Sequence, residues 1–127
     1  MAKFLSTEWA QEVTDALNNH AGFKSAIGNA DLGVAFNVSD GPDGDVPYYL
    51  KSSGGNTSIA LGSLDPADVT INTNYETATA ISKGDLNVQT AFMTGKLKVA
   101  GNLAKLMMHQ QAINQWSAAV KDQAIEY

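Results

Sequence analysis

The sequence has no cysteine. Without thiols there is no disulfide framework, no thiolate nucleophile and no cysteine-based metal site. Arginine is absent as well: all eight basic residues are lysine, against thirteen acidic ones, for a net charge of −5. Nucleic-acid binders need a basic footprint with forked guanidinium donors for phosphates and guanine edges, so that class is excluded. A polybasic membrane-surface patch is equally missing. No hydrophobic run approaches the roughly 20 residues of a spanning helix, and Met1-Ala2-Lys3-Phe4-Leu5-Ser6 lacks the apolar core of a secretory signal. A soluble, cytoplasmic protein is the expectation.

Motifs of catalysis are missing too. There is no phosphate-cradling G-x-x-x-x-G-K-[ST] or G-x-G-x-x-G loop and no G-x-S-x-G elbow. His20 and His109 are the two imidazoles, and neither is paired by pattern with a nucleophile. Asp40, Asp43 and Asp45 crowd one turn, but without the ligand spacing and bidentate glutamate of an EF-hand. Asp, Gly and Pro favour such a turn for local backbone reasons, so it reads as a hairpin connection. No catalytic residue, metal ligand or cofactor is assigned.

What is present is a globular composition, 44% hydrophobic and 17% charged over 127 residues, the size of one domain spanning 1–127. Leu5, Trp9, Val13, Ala16, Leu17 and His20 recur at steps of three and four, predicting a helix over 6–20 with Ser6 as its cap and His20 facing the dipole at its end. Gly22 and Lys24 mark its end or a bend into a short second helix. Period two follows: Leu32, Val34, Phe36 and Val38, then Val46, Tyr48 and Leu50, then Ile59 and Leu61, then Val69 and Ile71. These are four strands in a meander. Asn74 and Asn87 can cap helices closed by Gly84 and Gly95, Lys96–Ala100 alternates as a fifth strand with Leu97 and Val99 inward, and Asn102 can cap a long last helix. The last helix carries an apolar stripe of Leu106, His109, Ile113, Trp116, Val120 and Ala124. Met107 and Met108 form an adaptable apolar pair beside it. The order of elements predicts an α+β fold with the last helix over one face of the sheet.

One segment is more specific than any of these patterns. Leu86-Asn87-Val88-Gln89, then Ala91-Phe92-Met93-Thr94-Gly95-Lys96-Leu97-Lys98, then Gly101-Asn102 closely resembles the signature of the sterol carrier protein type 2 family, with Val88 where that family has proline. Asp68-Val69-Thr70 and Gly84-Asp85-Leu86 are similar to its other motifs. The resemblance implies a five-stranded, mainly antiparallel sheet covered on one face by helices, with an apolar cavity between the layers that takes a sterol, fatty acid or acyl chain and performs no catalysis.

On that reading the ligand-binding residues are Phe36, Tyr48, Leu50, Ile59, Leu61 and Ile71 from the sheet, with Phe92, Leu97, Leu106, His109, Ile113 and Trp116 from the later elements. Each could equally be ordinary core, because periodicity fixes a face and leaves open whether a void lies behind it. The expected partners are a hydrophobic lipid and, transiently, a membrane or an enzyme, for a monomer or a homodimer. An accessory domain with a filled core that docks on a partner enzyme is the alternative. The ending Ala124-Ile125-Glu126-Tyr127 lacks a Ser-Lys-Leu peroxisomal address. Without arginine, a fatty-acid carboxylate has no bidentate guanidinium clamp.

Overall fold

The computed structural model describes residues 2–121 and 123–127. A first short strand, β1 (Ala2–Lys3), leads to Ser6, whose Oγ accepts the Trp9 amide N–H at 3.1 Å and so opens α1 (Thr7–Asn18). Trp9, Ala10, Val13 and Leu17 form its buried stripe. The sequence places His20 at the end of this helix. Instead it precedes α2 (Ala21–Ile27), and its Nδ1 accepts the Phe23 amide N–H at 3.0 Å. Asn19 closes α1, so His20 serves the next helix as an N-cap.

Five strands follow the alternation: β2 (Leu32–Gly41), β3 (Gly44–Ser53), β4 (Asn56–Leu61), β5 (Val69–Asn74) and β6 (Lys98–Gly101). They form one sheet in the order β4-β3-β2-β5-β6. Three of the four pairings are antiparallel, while β2 and β5 run parallel. The parallel pair exists because the chain leaves the β4 edge and re-enters beside β2. On its way Leu64 lies against Gly33, where an added Cβ would sit 2.9 Å from the leucine side chain.

Between β5 and β6 come α3 (Tyr75–Ser82) and α4 (Val88–Met93), capped by the side chains of Asn74 and Asn87 as the sequence predicts. The last helix is not continuous. It is split into α5 (Leu103–Met108) and α6 (Gln110–Val120), with His109 at the junction. The break has a local cause: the His109 ring donates Nδ1–H to the Lys105 carbonyl at 2.8 Å, taking the acceptor that a continuing α-helix would give to the His109 amide. That amide reaches back to Leu106 instead. Ala124 lies beyond α6, and Ile125–Glu126 forms β7, paired parallel to β1.

The core lies between the sheet and the helices. α1 is stitched to the β4 edge: Thr14 Oγ1 accepts the Ile59 N–H at 2.8 Å, and Asn18 exchanges two hydrogen bonds with the Thr57 backbone. An edge strand presents unpaired backbone groups, and here two side chains one helical turn apart occupy them. No helix among the described residues is long and apolar enough to cross a membrane.

Candidate functional site

Strand register decides which predicted residues meet. Leu61, Tyr48, Phe36 and Ile71 are successive cross-strand partners, and the row continues to Val99 on β6. Ile59 and Leu50 stand in the neighbouring row with Val34 and Val69. All six predicted sheet residues therefore fall on the helix-facing side. Tyr48, Leu50, Ile59 and Ile71 are buried and Phe36 is half-buried, while Leu61, at the end of the edge strand, is 37% exposed.

Over these rows the aromatics are in contact. Phe36 stacks on Tyr48 with centroids 4.6 Å apart and planes within 7°, and Trp116 of α6 meets Phe36 edge-on at 5.7 Å. From the other side Trp9 meets Tyr48 edge-on at 5.2 Å, and Phe4 meets Trp9 at 5.2 Å. A connected column of five rings thus crosses the space between the layers. Burial of Tyr48 pushes its hydroxyl well above the usual tyrosine range. Sequence reasoning did not place Phe4 and Trp9 at this site; the helical spacing of Trp9 was the available signal.

The other half of the cover is thinner. Leu97 is buried, Leu106 packs half-buried against the core, and Ile113 is half-buried on α6. Phe92 is 41% exposed on α4. His109 is half-buried, with one ring nitrogen committed to the Lys105 carbonyl. α4 contributes only Ala91 to the buried set and α5 contributes nothing, whereas α1 contributes four residues.

Asp68 ties α5 to the sheet. Its Oδ2 accepts the Gly33 amide N–H at 2.8 Å and pairs with Lys105 Nζ at 3.1 Å, while its carbonyl accepts the Asn102 N–H at 2.8 Å. The Gly33 amide first, and Lys105 second, hold its carboxyl below the usual carboxylate range. Gly101 stands beside it with φ +101°, and a Cβ there would come within 2.6 Å of the Asp68 carbonyl. Only glycine fits that close approach.

Two open clefts are lined in part by residues of the sheet and, in one of them, by Phe4 of the aromatic column. One of about 260 Å3 is lined by Leu32, Ser52, Leu64 and Asp68 among others, and one of about 110 Å3 lies between the N-terminal arm and the β2–β3 turn. Neither is lined by a residue of α5 or α6. Among the described residues no group of three His, Cys, Asp or Glu side chains is placed to hold a metal ion.

A helix-covered five-stranded sheet whose inward side chains are wholly apolar or aromatic along one row defines a small α+β fold. The chain belongs to the SCP-2 sterol transfer family, whose match covers residues 10–114. It is 38% identical over 77 residues to sterol carrier protein 2 of Gallus gallus, covering 60% of this chain and 14% of that protein. It is 37% identical over 79 residues to hydroxysteroid dehydrogenase-like protein 2 of Homo sapiens, covering 61% of this chain and 19% of that one. A crystal structure of sterol carrier protein 2 superposes with a TM-score of 0.81 at 22% identity, covering 96% of this chain and 100% of that one. The chain thus matches only a small part of the length of these curated relatives.

Proposed function

We propose that the chain, acting as one lipid-binding unit in the cytoplasm, holds a sterol, fatty acid or acyl chain between its sheet and outer helices. It gives the lipid up at a membrane or to an enzyme, binding and performing no chemistry. Beside the family membership, the observation that carries this reading is the uneven cover over the sheet. The α1 side is closed by buried side chains and edge hydrogen bonds, whereas α5, which follows β6 and is tied to the sheet through Asp68, buries none of its own residues. A dry apolar space behind a thin cover is where hydrocarbon enters at least cost, since no polar group loses hydration. The lining proposed is Ile71, Leu97, Leu106, Ile113 and Trp116, bounded inward by the Phe36–Tyr48 stack, with Phe92 and His109 toward the rim; Leu61, on the β4 edge beyond Tyr48, lies outside it. Each chain holds its own lipid, which suits a monomer or a homodimer.

The five-ring column favours a second reading, a filled core that serves as an accessory domain on a partner enzyme. One experiment separates the two. Protein purified without detergent is examined by native mass spectrometry and organic extraction, then delipidated and titrated with a fluorescent fatty acid and a fluorescent sterol. A stoichiometric co-purifying lipid, or saturable binding at micromolar concentration, supports carriage. A chain that is empty and refuses both probes is the filled-core domain.

A further inference from the structure

The two edges of the sheet are finished differently. On β4, Thr14 and Asn18 of α1 bond to the edge backbone. On the far side, among the described residues, β6 pairs with β5 alone, and three of its four residues are exposed. The bond from the Asn102 N–H to the Asp68 carbonyl, 2.8 Å, fixes the phase of that pairing. It lies one step beyond the Val69–Gly101 pair, and an antiparallel ladder alternates pairs that exchange hydrogen bonds with pairs that do not. Thr70–Ala100 and Asn72–Lys98 therefore exchange bonds, while the N–H and C=O of Val99 and Gly101 point away from β5. No turn or helix-cap backbone bond among the described residues reaches either of them. Alternation sends the Val99 side chain to the helix side, beside Ile71, and that of Lys98 to the opposite face.

We propose that β6 is a docking edge for an extended acidic peptide, which adds to the sheet as a further strand. Val99 and Gly101 offer it backbone donors and acceptors. Register sets the side-chain pattern of the guest. The residue paired with Val99 extends the apolar row of Leu61, Tyr48, Phe36 and Ile71, and its neighbour beside Lys98 faces the outer side, where a carboxylate fits. Alternating acidic and apolar residues are therefore the signature. Charge chooses this occupant over a second copy of the chain. Residues 86–121 hold four lysines and no aspartate or glutamate, so edge-to-edge self-pairing sets one cationic segment against another. The lysine that repels its own copy selects a strand of opposite sign. The proposal goes beyond carriage of a lipid inside the fold and does not depend on it.

Fluorescence anisotropy of a labelled Ser-Glu-Val-Glu-Val-Glu-Ser peptide with the full chain tests it. Binding should be saturable, and the same peptide with lysine for glutamate should not bind. Lys98→Glu should weaken binding by about tenfold, exchanging an attractive cross-strand pair for a repulsive one. Lys24→Glu with Lys51→Glu, away from β6, should change it little. Val99→Pro removes an outward N–H, which an edge strand tolerates, and should abolish binding without unfolding the chain. A peptide N-methylated along its backbone tests the same bonds with the chain unaltered, and it should not bind. In hydrogen exchange the Lys98 and Ala100 amides should be the protected ones of the free strand, with Val99 and Gly101 joining them when peptide is added. The proposal is overturned if the acidic peptide fails to bind, if the lysine or N-methylated peptide binds equally well, if Lys98→Glu costs no more than the distant pair, or if peptide leaves exchange at Val99 and Gly101 unchanged. A dimer in sedimentation that the acidic peptide does not dissociate would overturn it too, assigning the edge to a second copy.

Discussion

Phe36→Ala probes the middle of the aromatic column. The ring stacks on Tyr48 at 4.6 Å and receives the edge of Trp116 at 5.7 Å, so truncation removes two aromatic pairs and opens a gap between β2 and α6. Full burial of a phenylalanine makes its loss cost about 3–5 kcal/mol, and each aromatic pair contributes about 0.5–1.5 kcal/mol of that beyond area. Phe36 is half-buried, which sets the expectation at the lower end, about 3 kcal/mol. For a chain of this size that lowers Tm by about 10 °C, followed by circular dichroism with urea unfolding alongside. A drop of less than about 3 °C would refute the claim that this ring is wedged between sheet and helix. The vacated volume also bears on function. If the interlayer space accepts lipid, an acyl ligand at a hundred times its Kd should return about 2.7 kcal/mol to the variant.

Three further perturbations address what holds the cover in place. Asn18→Ala removes both hydrogen bonds to the Thr57 backbone and should cost about 1–3 kcal/mol in urea unfolding, with faster aggregation from the bared β4 edge. Asp68→Asn keeps an acceptor for the Gly33 amide but loses the ion pair with Lys105. At more than a third exposed, that carboxylate contributes less than about 1 kcal/mol at neutral pH. Its folded pKa is depressed, so the contribution is present above the unfolded value of about 4, shrinks as pH falls below it, and is gone once the folded carboxyl protonates. Unfolding curves of the two proteins should therefore converge in acid, and a gap that persists there would contradict the assignment. In native-state hydrogen exchange, amides of α4 and α5 should open before those of α1, β2 and β3, because the outer helices bury almost nothing.

Legibility in the sequence follows the range of the forces involved. The four long strands and their inward faces are readable because alternation is a property of the strand itself, and register then aligns Leu61, Tyr48, Phe36 and Ile71 without further information. Helix starts at Ser6, Asn74, Asn87 and Asn102 are readable because a cap is a local bond. The split at His109 is not, since the stripe from Leu106 to Trp116 keeps its phase across a break made by one side chain. His20 escapes for the same reason: its role depends on which helix its ring nitrogen faces. Strands β1 and β7 are two residues each, too short for any period, and exist because the ends of the chain meet. Phe92 and Leu61 have apolar character without burial, because exposure depends on what packs over a face.

The composition of the inward face carries a consequence for selectivity. Among the described residues the buried polar ones are Ser52, Thr57 and Thr77, none of them charged, and the sequence holds no arginine. A fatty-acid carboxylate drawn in behind α5 would lose its water and find no bidentate partner, a loss of several kcal/mol. An acyl tail meets no such barrier. The carboxylate of a bound fatty acid must therefore stay at the rim, in water, and its charge should count little toward affinity. A fluorescent fatty acid and its methyl ester are expected to bind within a few-fold of each other, with tail length and width setting the order among ligands. A preference for the free acid of more than about tenfold, equal to about 1.4 kcal/mol, would mean that a cation or a cluster of amides receives the carboxylate, and would refute a tail-only pocket.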